Sequence, residues 1–173
     1  MKENAFIKEI EFDPCDEQEC LAAVKLNGDS LKYVINQTER VCLEAVKCDG
    51  FALRYVVNQT EEICLAAINK TLAAFQYVRD QTSQICLVAV NRNGNMLRYV
   101  INQTEEICLE AVKQNGDALR YVRKQTKDIC IAAVKQDGES LKYVINQTEE
   151  ICLEAVKQNG DALRYVRKQI EKK

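Results

Sequence analysis

The sequence predicts an all-α protein, an α-solenoid of seven 22-residue helix-turn-helix repeats, and three observations predict it. The string from Gln103 to Lys124, QTEEICLEAVKQNGDALRYVRK, returns unchanged from Gln147 to Lys168. Looser copies begin at Cys15, Gln37, Gln59, Gln81 and Gln125, with no insertion or deletion between any two. A fixed period in this range marks units that stack on their neighbours. Inside each copy the apolar residues fall on one helical arc bounded by capping residues. The boundaries follow: residues 1–14 form an N-terminal cap, 15–168 the seven repeats, and 169–173 a C-terminal tail.

Repeat five shows how each element arises. Thr104 is a good N-cap, and Glu105 and Glu106 suit the positive end of the helix that follows. That helix runs through Ile107, Cys108, Leu109, Ala111 and Val112. Its apolar arc covers about 200°, wider than a surface helix needs, as expected of a helix that touches its partner and both neighbouring repeats. Asn115-Gly116 is expected to stop it, with the glycine left-handed, and Asp117 to cap a second helix through Val122, ending near Gln125-Thr126. Neither helix is long enough to persist alone, so stability is expected from stacking. Alanine holds the ninth position of every repeat, from Ala23 to Ala155, where a small side chain lets helices approach closely.

Taken in order, the early repeats depart most from this pattern. Residues 1–13 include Phe6, Ile7, Ile10 and Phe12, apolar groups suited to cover the first repeat. Asp13-Pro14 reads as N-cap and first helical residue. Repeats one and two carry Leu26 and Cys48 where later ones carry Gln114, Gln136 and Gln158. Phe51 stands where other repeats have Asp, Glu, Asn or Ala; it is expected to forfeit a cap and to expose a ring, or else to tuck against Leu26 or Cys48. In repeat three Asn-Gly becomes Thr71-Leu72, so either the helices fuse or Thr71 caps the second one, with a change of curvature. Repeat four adds Val88 and Met96. Leu97–Gln125 and Leu141–Gln169 differ only at Arg98 against Lys142, a 44-residue duplication that directs attention for specificity to repeats one to four.

Composition excludes several classes. The chain carries 24 basic and 26 acidic residues, so no global field points to nucleic acid or membrane. No stretch approaches a membrane span, and the start lacks a secretory pattern, so the protein is expected in the cytoplasm of a bacterium or host cell. Seven of the nine cysteines, Cys20 to Cys152, occupy the sixth position of each repeat. Packed helices hold them too far apart for disulfides, so they read as reduced core thiols. There is no histidine and no Cys-x-x-Cys, and neither a metal nor a cofactor is expected. No nucleophile stands beside a base, and no glycine-rich phosphate loop is present, so the protein is not expected to be an enzyme.

Two columns offer surface chemistry. Tyrosine fills position nineteen of every repeat, from Tyr33 to Tyr165, and serves either as a seam residue or as an aromatic stripe. Position eighteen gives the basic row Lys32, Arg54, Arg98, Arg120, Lys142 and Arg164, interrupted by Gln76. Together these resemble a groove that tracks phosphates. Acidic residues such as Glu106, Glu110, Asp117, Glu150, Glu154 and Asp161 share that surface, and helix charge pairing accounts for the row without a ligand.

The pattern Cys-Leu-x-Ala-Val-x-x-Asn-Gly-x-x-Leu-x-Tyr-Val resembles a family of short helical repeats catalogued as a domain of unknown function. The likeness covers Cys15 to Lys168 and breaks at Thr71-Leu72. Members of that family occur in intracellular bacteria, giant viruses and mobile elements. The resemblance implies helical repeats in host-directed or parasite-encoded interaction proteins, and it supplies no catalytic residues.

The expected function is therefore non-enzymatic binding of another protein, with Leu26, Cys48, Phe51, Val88, Arg54 and Arg98 as candidate contacts. An inhibitor or effector role fits, for instance a phage anti-CRISPR protein that blocks a bacterial defence nuclease. A nucleic-acid binder using the basic row is the alternative, and a structural spacer the third. The chain is expected to be a monomer or a weak dimer through its C-terminal face.

Overall fold

Every repeat makes the same two elements, an α-helix and then a 3₁₀ helix. The computed structural model describes residues 12–167, so most of the expected N-terminal cap and the tail lie outside the described residues. The α-helices are α1 (Glu17–Leu26), α2 (Glu39–Cys48), α3 (Glu61–Lys70), α4 (Ser83–Arg92), α5 (Glu105–Gln114), α6 (Lys127–Gln136) and α7 (Glu149–Gln158). After each comes a six-residue 3₁₀ helix, from Gly28–Tyr33 in repeat one to Gly160–Tyr165 in repeat seven. No strand occurs among the described residues, and the fold class is the α-solenoid that the period predicts. The described residues divide after Asp80 into two compact bodies, repeats one to three and repeats four to seven.

The caps explain where helices start. The hydroxyls of Thr38, Thr60, Thr82, Thr104, Thr126 and Thr148 each accept from the backbone N–H three residues on, each contributing about 1 kcal/mol. In repeat one the cap is Asp16, not Asp13: its carboxylate accepts from Glu19 N, and α1 begins at Glu17. Asp13 instead closes a turn by accepting from Cys15 N at 2.8 Å.

The corner between the helices differs from the expected one. Asn115 has φ −151° and ψ 110°, and no glycine among the described residues takes a positive φ. The left-handed stop is absent. Asn115 ends α5 and caps the next helix with one side chain, its Oδ1 accepting from Asp117 N at 3.1 Å. Asp117 is thus inside the 3₁₀ helix and is not its cap. The same correction applies at Phe51, which forfeits nothing: Asp49 is the cap and accepts from Phe51 N at 2.9 Å.

Glycine is needed here for a different reason. A Cβ on Gly116 would lie 2.7 Å from the Ala133 carbonyl of the next repeat, and one on Gly28 would lie 2.7 Å from that of Ala45. The glycine and the ninth-position alanine are two sides of one close contact between successive repeats. Because no unusual φ is required, Thr71-Leu72 turns the same corner, with φ −140° and ψ 104°. The helices do not fuse there, and Thr71 makes no side-chain cap bond.

Within each body α-helices pack on α-helices, 3₁₀ helices on 3₁₀ helices, and each 3₁₀ helix against the α-helix of the next repeat. The core between them is the predicted one. The ninth-position alanines are at most 1% exposed, the sixth-position cysteines from Cys20 to Cys130 are buried, and Leu31, Leu53, Leu97, Leu119 and Leu141 are fully buried. Each such leucine contributes about 2 kcal/mol by leaving water.

Candidate interaction surface

The loop that enters each repeat carries a glutamine that holds the loop that leaves it. Gln103 Nε2 donates to Leu97 O (3.3 Å) and Tyr121 O (2.9 Å), and its Oε1 accepts from Arg123 N (3.0 Å) and, weakly, from the Cys108 thiol (3.8 Å). Gln37, Gln59, Gln125 and Gln147 make the same set, and Gln81 matches it toward Tyr99 and Ile101. This clamp escaped the sequence reading, although glutamine at the first position of six repeats was the available signal. In repeat one, where Cys15 replaces it, the Pro14 carbonyl accepts from Ile35 N instead.

A second arginine-based tie recurs every two repeats. After Ile35 in repeat one, position twenty-one alternates between an exposed aliphatic residue and arginine: Val57 and Arg79, Ile101 and Arg123, Ile145 and Arg167. Arg79 donates to the Val56 and Val57 carbonyls, Arg123 to those of Val100 and Ile101, and Arg167 to that of Ile145. The backbone repeats every 22 residues and this chemistry every 44. Between repeats five and six the loops leave a cleft of about 460 Å³, lined in part by Ile101, Gln103, Cys108 and Arg123.

Within each body the basic row and the tyrosine column form a ladder. Cations of the row lie over their own tyrosines, Arg54 at 4.7 Å from the Tyr55 centroid and Arg98 at 4.5 Å from that of Tyr99. Arg120 and Lys142 also reach the next tyrosine, Tyr143 and Tyr165. The acid at position fifteen of one repeat meets the base at position eighteen of the next. Asp29 receives Arg54 Nη2 on both oxygens (3.0 and 2.9 Å), Asp117 lies 3.6 Å from Lys142, and Glu139 lies 3.0 Å from Arg164. Arg120, facing Asn95 in the preceding repeat, pairs with Asp117 of its own at 3.6 Å. Lys32 and Arg98 form no ion pair among the described residues. Tyr165 donates its hydroxyl to Glu139 of the preceding repeat at 3.4 Å.

The candidate protein contacts fall at the helix ends. Leu26 is 74% exposed. Cys48 is half-buried, with its thiol 3.5 Å from Lys25 O, beside the end of α1. Phe51 is half-buried too, and its partner is neither Leu26 nor Cys48 but Tyr77, edge-on at 6.1 Å. Val88 is half-buried on α4, and Arg54 and Arg98 are exposed on the ladder. The structure thus brings Cys48 to the end of α1 that carries Leu26, and Phe51 to the tyrosine column.

The glutamines that replace Leu26 and Cys48 later in the chain have an internal task. Gln114, Gln136 and Gln158 accept from the glycine N–H of the preceding repeat, at 2.5 Å (Gly94), 2.6 Å (Gly116) and 2.6 Å (Gly138). In repeats two and three Cys48 and Lys70 stand there, and neither side chain can accept for Gly28 or Gly50 in the same way.

The cysteine column is chemically quiet. Burial pushes the Cys42 and Cys64 thiols up to about 11 and raises those of Cys86, Cys108 and Cys130 as well. A raised thiol holds its proton and is a poor nucleophile. No group of three or more metal-ligating side chains occurs among the described residues. No described helix is long and apolar enough to cross a membrane.

Comparison with known proteins agrees with this description. No curated protein and no solved structure matches the chain. One family matches in three overlapping windows, 82–127, 104–147 and 126–171, which together span more than half of the 173 residues. Each window begins on a capping threonine, Thr82, Thr104 or Thr126, and covers about two repeats. The chain belongs to the family described as Domain of unknown function (DUF4116).

Proposed function

We propose that the protein binds another protein through the helix-end edge of its first three repeats, around Leu26, Cys48 and Phe51, and acts by occupying its partner's surface. The observation that carries this reading is the exchange at the twelfth position. Where the later repeats hold a glutamine that serves their own stacking, the early ones offer Leu26, 74% exposed, and Cys48. A large apolar side chain in the open, as Leu26 is, with the half-buried Cys48 beside it, is the ordinary raw material of a binding surface.

The ladder counts against a nucleic-acid role. A phosphate track needs cations with free valence, and Arg54, Arg120, Lys142 and Arg164 already face carboxylates.

The test is capture of partners on immobilised wild type, Phe51→Asp and Leu26→Asp, with and without nuclease treatment and across a range of salt. One protein held by wild type, lost with either variant and indifferent to nuclease is the expected result. Recovery that disappears with nuclease, or that falls steeply with salt, would instead make nucleic acid the ligand. The narrower form, an inhibitor of an RNA-guided defence nuclease, is tested by adding the protein in excess to a target-cleavage reaction. Undiminished cleavage rejects it for that nuclease.

A further inference from the structure

Repeats one, four and five carry the same dipeptide, Asn-Gly, at the same corner, and the fold treats the first of them differently. Asn27, Asn93 and Asn115 share one backbone conformation, with φ −148°, −156° and −151° and ψ 110° at each. Each side-chain carbonyl accepts from the N–H two residues on, at 3.0, 2.9 and 3.1 Å. The contrast lies in the glycine that follows. Gly94 N and Gly116 N donate to Gln114 and Gln136 at 2.5 and 2.6 Å. The position facing Gly28 is Cys48, which has no amide oxygen to offer, so Gly28 N–H lacks that bond. Asn27 is exposed, whereas Asn93 and Asn115 are half-buried.

An asparagine followed by glycine is open to attack by the backbone on its own side chain, because glycine has no Cβ to obstruct the approach. The Gly28 N–H gives up its proton, and the nitrogen attacks Asn27 Cγ. The side-chain nitrogen leaves as ammonia, and a succinimide closes. Water then opens the ring at either carbonyl and leaves aspartate or isoaspartate, a water being consumed for each ammonia released. Closure also swings the Gly28 peptide about the Asn27 Cα–C bond, away from ψ 110°. In repeats four and five the swing and the loss of the amide proton both require the bond to glutamine to break first. In repeat one that bond does not exist.

We infer that Asn27 is a self-modifying residue, which converts to aspartate and isoaspartate in the folded protein ahead of the matched Asn93. The fold already accommodates one product. Asp49 and Asp137 hold the same position in repeats two and six and make the same cap, to Phe51 N at 2.9 Å and Glu139 N at 3.0 Å. The other product lengthens the backbone beside Gly28, where even a Cβ would come within 2.7 Å of the Ala45 carbonyl. Isoaspartate therefore loosens the stacking of repeat one on repeat two. Both products place a negative charge next to Leu26, which is 74% exposed. The conversion follows from the corner geometry and does not depend on a binding role for Leu26.

Timed incubation of the full chain in mildly alkaline buffer, followed by peptide mapping by mass spectrometry, tests the inference. Asn27 and Asn93 fall in tryptic peptides of distinct sequence, Leu26–Lys32 and Asn93–Arg98. Asn27 is expected to convert on the order of fivefold faster than Asn93, the factor that one hydrogen bond supplies. Cys48→Gln is expected to remove this lead by giving Gly28 N–H an acceptor. Gln114→Leu is expected to speed Asn93 by a similar factor, and circular dichroism checks that both variants keep their helices. In urea, where the stack is gone, the two sites are expected to convert at similar rates. Equal rates in the folded chain, or a lead that persists in urea, would overturn the proposal. So would a lead that survives Cys48→Gln, or an unchanged rate at Asn93 in folded Gln114→Leu.

Discussion

The two bodies share a backbone and differ along the edge where α-helix meets 3₁₀ helix. In repeats five to seven that edge is sewn together by Gln114, Gln136 and Gln158, each accepting from the glycine N–H of the repeat before. In repeats two and three Cys48 and Lys70 occupy the same places and leave Gly28 and Gly50 without that acceptor. The difference teaches that one scaffold can be tuned position by position toward stability or toward surface. The alanine–glycine contact fixes the spacing in both bodies, and the glutamine is an optional addition to it. A hydrogen bond of this kind contributes about 1 kcal/mol, which sets the scale of what the glutamine adds in repeats five to seven.

The comparison can be broken most severely with alkali. A thiol whose folded pKa is raised favours the folded state below its unfolded pKa, near 9, and that contribution is lost as pH rises through the folded value, about 11 for Cys42 and Cys64. Several buried thiols titrate together, so melting temperature should fall steadily between those limits. The double variant Cys42→Ala/Cys64→Ala should melt lower at neutral pH and show a shallower alkaline slope. A slope equal to that of wild type would remove these thiols from the account.

Next in size is the contact that both bodies share. Gly28→Ala and Gly116→Ala should each cost about 2–3 kcal/mol, since the new methyl meets a backbone carbonyl. Gly160→Ala, in a local sequence identical to that of Gly116, should be neutral or stabilising by about 0.5 kcal/mol. Chemical denaturation of the three variants checks this, and equal losses at all three sites would refute the close-contact role of the glycine.

The direct exchange is expected to be smaller. Gln136→Leu should cost about 1–2 kcal/mol, and Cys48→Gln should return about 1 kcal/mol by giving Gly28 N–H an acceptor. If Cys48→Gln also weakens partner capture, stability and surface are opposed at this residue. Smallest of all is Ser140→Ala. The Ser140 hydroxyl is fully buried and makes no hydrogen bond, while repeats two, three, five and seven use alanine there. The change should stabilise by about 1 kcal/mol or less, read as a small rise in melting temperature.

Much of this fold was legible because its determinants are local or periodic. Thr104 announces its helix within three residues, and the cysteine and alanine columns repeat at one phase of the period. What escaped has partners far along the chain. Gly116 reads locally as a left-handed stop, but the group that demands it is the Ala133 carbonyl, 17 residues on. Gln103 reads as a solvated loop residue because Tyr121 and Arg123, which it holds, lie 18 and 20 residues away. The 3₁₀ character of Gly116–Tyr121 escaped for a different reason: over six residues the periods 3.0 and 3.6 place apolar side chains almost alike. At the candidate surface the outliers Leu26, Cys48 and Phe51 stood out by departing from the repeat, whereas the pairing of Asp29 with Arg54 needed the stack to be seen.

The alternation at position twenty-one sets a parity rule for how such an array can change length. From Val57 onward each arginine clasps carbonyls beside the aliphatic residue of the preceding loop. Gain or loss of one 22-residue repeat would set two arginines, or two aliphatic residues, in succession. Gain or loss of 44 residues leaves every clasp matched. A step of 44 residues is therefore the one that keeps the clasps in register, and the near-identical stretches Leu97–Gln125 and Leu141–Gln169 lie 44 residues apart.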